Sequence, residues 1–221
     1  MSVWAVLVAA GRGERLGSDR PKAFARLGDR PLLAESLERL DASEWVDSIV
    51  VAAPKGWEEP VILLAEELGC SKVTEAVTGG ASRSESVRAG VAEVPEDALV
   101  ILVHDAARPL LVEDMIERVL APLSEGWDGA VPGLPLADTV KRVEGDTVVE
   151  TVDRSSLVAV QTPQAFGAET LRAALEGDIA PASDCSSLVE ARGGRVKVVQ
   201  GDPRLLKVTT ADDLAKIASW L

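Results

Sequence analysis

A mostly parallel β-sheet with helices on both faces is the fold this sequence predicts, and three observations predict it. Short β-branched runs recur along the chain, and stretches with apolar residues at helical spacing separate them. The first run, Val3 to Ala10, breaks directly into Gly11-Arg12-Gly13-Glu14-Arg15-Leu16-Gly17 and then Arg20-Pro21-Lys22. Strand followed by glycine turn is how an α/β sheet begins when its edge carries a ligand loop.

Taken in order, strands are expected at about 3–9, 48–53, 72–77 and 98–103. Between them, Leu32, Leu33, Ser36, Leu37 and Leu40 repeat as one helix face, and Val61, Leu64, Ala65 and Leu68 as another, which Gly69 ends. Ser82 to Val94 reads as a third helix and Leu111 to Leu123 as a fourth. The pattern breaks after residue 133. There Ala137 to Val143, a turn at Glu144-Gly145-Asp146, and Thr147 to Val152 read as a β-hairpin with little apolar surface. Two strands alone are marginal in water, so the hairpin either leans on something else, such as a partner subunit, or forms an edge of the main sheet.

At 221 residues and 47% hydrophobic content the chain can bury a sizeable core. One domain over 1–221, with the hairpin as an arm at about 137–157, is the expected organisation. A net charge of −13 argues against nucleic acid and anionic membrane as partners. No apolar run approaches the ~20 residues of a membrane span, and the start lacks a secretory signal, so a cytoplasmic location is expected. Cys70 and Cys185 are too few for a disulfide framework and have no metal-ligand spacing, which leaves them as packing residues.

The first thirty residues depart from the acidic average, with six Lys or Arg against three Asp or Glu. Positive charge therefore gathers where the glycine loop lies. Glycines let backbone N–H groups approach an anion, and Arg15 and Lys22 supply charge for phosphates. The spacing excludes two familiar loops. A dinucleotide fingerprint needs its third glycine where Leu16 stands and an acid after the second strand, which ends instead in Ala52-Ala53-Pro54. A Walker loop needs Gly-Lys-Ser/Thr, and neither Gly11 nor Gly13 leads to one.

Val103-His104-Asp105-Ala106-Ala107-Arg108-Pro109 follows a buried strand, at the end where open sheets bind ligands. Asp105 suits a sugar hydroxyl or a metal ion, and Arg108 a phosphate. His104, the single histidine, fits either general-base chemistry or a structural hydrogen bond. Gly79-Gly80-Ala81-Ser82-Arg83-Ser84-Glu85-Ser86 also follows a strand and opens a helix, where backbone N–H groups and short hydroxyls can read a base.

These segments, together with Asp138-Thr139-Val140-Lys141-Arg142, Thr151-Val152-Asp153-Arg154, Thr162-Pro163-Gln164 and Leu206-Lys207-Val208-Thr209, occur in an order that resembles the 2-C-methyl-D-erythritol 4-phosphate cytidylyltransferase family over nearly the whole chain. The resemblance implies a Rossmann-like nucleotidyltransferase fold and transfer of CMP from CTP to 2-C-methyl-D-erythritol 4-phosphate, with Mg²⁺ on the triphosphate, in non-mevalonate isoprenoid synthesis. It implies that Arg15 and Lys22 stabilise the transition state and that Arg154 and Lys207 position the acceptor. Nucleotide contacts fall by the same resemblance to Ala9, Ala10, Gly11, Gly80, Ala81, Ser86 and Ala106, and further substrate contacts to Asp105, Arg108, Thr139 and Thr162. It also implies a homodimer whose arms, carrying Thr139 and Arg154, reach into the other subunit's site. No protein metal ligand is implied.

The chain departs from the family's pattern at two places. Ala81 stands where an aspartate or another polar residue is usual, and Cys185, after Asp184, where an acid is usual. Lys141, Arg142 and Asp184 are expected to be structural. Three other functions use similar residues: a cytidylyltransferase for ribitol 5-phosphate or another polyol phosphate, a catalytically silent nucleotide-binding module, and a sugar-1-phosphate nucleotidyltransferase. The presence of both Lys22 and Lys207 argues against the silent module.

Overall fold

In the computed structural model, residues 2–11, 13, 20–179 and 182–221 are described. Chain order runs β1 Val3–Val8, β2 Arg26–Leu27, β3 Arg30–Pro31, α1 Leu32–Asp41, β4 Ser48–Ala53, α2 Glu58–Leu68, β5 Val73–Thr78, α3 Arg83–Ala92, β6 Val100–Asp105 and α4 Glu113–Ser124. It continues with β7 Gly129–Pro135, β8 Val140–Glu144, β9 Thr147–Val152, β10 Val158–Val160, β11 Gln164–Gly167, α5 Ala168–Ala174, α6 Cys185–Ala191, β12 Val196–Gln200 and α7 Ala211–Ala218. The four expected strands and four expected helices of the first half are all present, each within two residues of the expected start except α2.

β1 lies centrally, parallel to β4 on one side and β6 on the other, with Val6 opposite both Val50 and Val103. Side chains on successive strand residues point to opposite faces. Val3, Ala5 and Leu7 therefore pack with α1, α2 and α4 through Leu33, Leu37, Val61, Met115 and Val119. Val6, Val50 and Val103 pack on the other face with α3, α5 and α6 through Val87, Val91, Leu171 and Val189. Burial on both faces is why these strands read as continuous apolar runs. At Gly90 of α3 an added Cβ would lie 2.6 Å from Val6 Cγ1, so that helix seats directly on the central strand.

The helix ends follow local chemistry. Gly69 closes α2 in the left-handed region at φ 70°. Ser82 caps α3 in a reciprocal pair with Glu85, each side chain taking the other's backbone N–H.

Beyond α4 the sheet is mixed. β11 runs antiparallel between β6 and β7, β10 is antiparallel to β7, and β12 is parallel to β7. The full order is β10-β7-β11-β6-β1-β4-β5, with β12 on β7. The hairpin β8–β9 pairs only with itself among the described residues and is exposed along nearly its whole length. The edge-strand alternative is thereby overturned, and the turn narrows to Gly145-Asp146, with Gly145 at φ 61°. Ala137 to Thr139 precede the first strand instead of starting it. Lys141 Nζ donates to Thr151 Oγ1 at 2.5 Å and Arg142 Nε to Glu150 at 2.7 Å, so both bases serve the hairpin itself. Cys70 and Cys185 are buried and unbridged. No helix among the described residues is long and apolar enough to cross a membrane.

Candidate active site

The carboxyl ends of β1, β5 and β6 and the first turn of α3 converge on a cavity of about 280 Å³. Backbone bonds fix this convergence: Ala9 N–H donates to Ala52, Ala106 N–H to Val8, and Gly79 N–H to Ala53. Gly79 must be glycine at this crossing, because a Cβ would lie 2.3 Å from Ala10 Cβ and 2.9 Å from Ser86 Oγ.

Ala9, Ala10, Gly11, Lys22, Gly80, Ala81, Ser86, Asp105, Ala106 and Lys207 all line the cavity. Segments nearly two hundred residues apart in sequence thus meet in one wall. Lys22 heads a short 3-10 turn, Lys22–Phe24. Its N–H donates to Gly11 at 3.3 Å, and Phe24 packs on Trp57 with ring centroids 4.4 Å apart. Gly13, at φ 71°, has no room for a side chain, since a Cβ would come within 2.7 Å of Lys22 Cβ. Arg15 lies outside the described residues.

Asp105 is the electrostatic centre. Its Oδ1 accepts from Arg83 Nε at 2.8 Å and its Oδ2 from Lys207 Nζ at 2.7 Å. Burial pushes this carboxyl up, but Arg83 and Lys207 outweigh burial and hold it well below the usual range. Lining the cavity, Lys22, Arg83 and Lys207 face this single acid. The balance favours an anion. Asp105 has both oxygens engaged, and the described residues contain no cluster of metal-ligating side chains.

Behind Asp105, Thr162 and His104 form a relay. The Thr162 hydroxyl accepts from Asp105 N–H at 3.0 Å and donates to His104 Nδ1 at 3.2 Å, because the other ring nitrogen of the neutral imidazole faces a carbonyl, which can only accept. His104 then carries its proton on Nε2 and donates to the Arg108 carbonyl at 3.1 Å. The ring is fully buried, and burial lowers its pKa to about 4. His104 is therefore structural, outside the cavity lining. Arg108 is also buried, with Nη1 donating to the Leu205 carbonyl at 2.5 Å, and it braces the segment that carries Lys207. Thr162 and Arg108 support the site from behind.

The glycine loop before α3 is braced by its own hydrogen bonds. Gly80 N–H donates to Ser86 Oγ at 3.1 Å, and that hydroxyl donates to the Ser82 carbonyl at 2.9 Å. Both groups hold the loop's shape here. Thr139 and Arg154 lie on the arm, away from this chain's cavity lining, and the Arg154 guanidinium donates to the Ala137 carbonyl at the arm's base. Asp184 caps α6 through Ser187 N–H and also accepts from Gln164 Nε2 at 2.9 Å, as a structural residue should.

Sequence reasoning passed over Arg83 as a separate site residue. A signal was present: a cation in the first turn of a helix opposes the helix dipole and needs a nearby carboxylate, which only the folded sheet supplies.

The comparisons with known proteins agree with this geometry. The family model described as IspD, 2-C-methyl-D-erythritol 4-phosphate cytidylyltransferase, matches residues 3–221. Proteins of that name from Nocardia farcinica and Saccharopolyspora erythraea are 47% and 45% identical, over 96% and 97% of this chain and 91% and 97% of theirs. A crystal structure of 4-diphosphocytidyl-2C-methyl-D-erythritol synthase from Anaerococcus prevotii superposes with a TM-score of 0.85 at 25% identity, covering 99% of this chain and 97% of that one. With its glycine loop, two cavity lysines and buried aspartate placed as described, this chain belongs to the 2-C-methyl-D-erythritol 4-phosphate cytidylyltransferase family.

Proposed function

We propose that this chain transfers CMP from CTP to the 4-phosphate of 2-C-methyl-D-erythritol 4-phosphate, giving 4-diphosphocytidyl-2-C-methyl-D-erythritol and pyrophosphate, in non-mevalonate isoprenoid synthesis. The observation that carries this reading is the cationic cavity: Lys22 and Lys207, from opposite ends of the chain, line one space at the carboxyl edge of the sheet.

In the reaction, an oxygen of the acceptor phosphate attacks the α-phosphorus of CTP. The bond from that phosphorus to the bridging oxygen breaks, and pyrophosphate leaves; Mg²⁺, when bound with the triphosphate, would supply further charge neutralisation. The nucleophile is already anionic, so no base is required, which agrees with the buried, neutral His104. The protein's task is to hold two anions in line and to neutralise charge on the α-phosphate. Lys22 and Arg15 take that role. Lys207 binds the acceptor phosphate beside Asp105, and Ala9 to Gly11 with Gly80 and Ala81 border the nucleotide.

Thr139 and Arg154 act on the acceptor in the other subunit of a homodimer. An arm that, among the described residues, pairs only with itself and exposes Val143, Val148 and Val149 supports this, because such a surface gains stability when a second copy covers it. The cytoplasm is the location proposed.

The test is pyrophosphate release from CTP, UTP, ATP or GTP, each paired with methylerythritol phosphate or ribitol 5-phosphate. Release is expected with CTP and methylerythritol phosphate alone. Faster turnover with ribitol 5-phosphate would reassign the acceptor, and no release from the expected pair would overturn the proposal.

A further inference from the structure

Asp105 is shared between two cations whose surroundings differ. The Lys207 side chain is 40% exposed, whereas that of Arg83 is 20% exposed and its Nη2 is buried without a hydrogen-bond partner. The remaining terminal nitrogen of Arg83, Nη1, lies 3.6 Å from the sulfur of Cys185, which is fully buried. A thiol is a weak acceptor, and burial pushes this one up to about 11, so it stays neutral. Among the described residues, Asp105 is the one carboxylate in ion-pair contact with Arg83.

We infer that Arg83 is a positioning residue for the transfer: by neutralising Asp105 it leaves the charge of Lys207 available to the acceptor's phosphate, and the neutral Cys185 keeps Arg83 committed to Asp105. The inference rests on the reading of Lys207 given above. Arg83, Asp105 and Lys207 together carry one net positive charge. Without Arg83, Asp105 and Lys207 form a neutral pair, and a phosphate must compete with a carboxylate for the ammonium. The charge balance at Asp105 agrees, since the coulombic pull of Arg83 is the largest single influence opposing burial there. An acid at position 185 would divide Arg83 between two carboxylates. This chain's cysteine does not.

Steady-state kinetics on the purified full chain test this, with KM for CTP and for methylerythritol phosphate measured separately. Arg83→Met is expected to raise the acceptor KM about tenfold, with the CTP KM moving by less than about threefold, as fits loss of a charge-assisted contact felt at one substrate. Arg83→Lys, whose ammonium can still meet Asp105, should recover most of the loss. Cys185→Asp should raise the acceptor KM in the same direction. A merely structural Arg83 would move both KM values together and would show no rescue by lysine, and either outcome overturns the inference. An unchanged acceptor KM in Cys185→Asp removes the part assigned to Cys185. Lys207→Met separates the two levels of the argument. If it leaves the acceptor KM unchanged, the reading of Lys207 fails; if it raises that KM while Arg83→Met does not, the positioning role alone fails.

Discussion

Lys22 is held by its neighbours on both sides: its backbone N–H is bound to Gly11, Gly13 passes so close that a side chain there would strike its Cβ, and Phe24 rests on Trp57. A side chain prepositioned in this way stabilises charge as it forms without first having to order itself. Lys22→Met is therefore expected to lower kcat by about 10²–10³-fold with little change in melting temperature. Turnover within a few-fold of the parent would exclude the role. His104 makes a different prediction. Its pKa falls from 6.5 to about 4 on burial, so between those values the unfolded chain takes up a proton that the folded chain refuses. Stability drops as pH falls across that window, by on the order of 3 kcal/mol from this group alone. Urea unfolding of His104→Gln at neutral pH and near pH 4.5 should show a smaller difference than the parent; an equal difference would refute it. At this scale the sequence was informative about residue type. Gly79, Lys22 and Asp105 stand out because few residues can do what their positions require. The sequence showed less about partners, as Arg83 illustrates. Its carboxylate lies 22 residues away, at the end of β6, whereas Arg83 opens α3.

Elements differed in how openly they declared themselves. β1, β4 and β6 are buried on both faces, so their apolar runs are uninterrupted and their bounds were close to those expected. β7 was not legible. Its sequence, Gly-Ala-Val-Pro-Gly-Leu-Pro, has weak strand propensity, and it is held in place by three neighbouring strands instead. The helices α5 and α6, at seven residues each, are too short to show a periodic face. The arm was legible because its turn and alternation are local. Its consequence is testable by Arg154→Ala, which should raise the acceptor KM by about tenfold and leave CTP binding intact, measured by calorimetry for the nucleotide and kinetics for the acceptor. A fall in CTP affinity would place the arm elsewhere.

For the whole molecule, the proposed homodimer predicts complementation. Subunits carrying Lys22→Met lack one component of the site, and subunits carrying Arg154→Ala lack another. If arms exchange, a mixed dimer concentrates both defects in one site and leaves the second complete. Equal co-expression with random pairing, assayed with the acceptor well below its KM, should then restore about a quarter of parental activity, above the roughly one-tenth that Arg154→Ala alone retains under those conditions. No recovery above the two parents would mean that each arm serves its own chain or none.

The chemistry available is written along the chain: a strand leading into a glycine loop, lysines early and late in the chain, and a glycine-serine segment opening a helix. These are local properties, set by backbone freedom, charge and spacing over a few residues. Tertiary structure decided which of them share a space. It brought Lys207 against Asp105 and set Arg83 on the other oxygen, turned His104 and Arg108 inward as braces, and left Thr139 and Arg154 on an exposed arm. Contacts of that kind depend on the order and pairing of strands distant in sequence. They are set by the packing of the whole sheet and by no single segment of it.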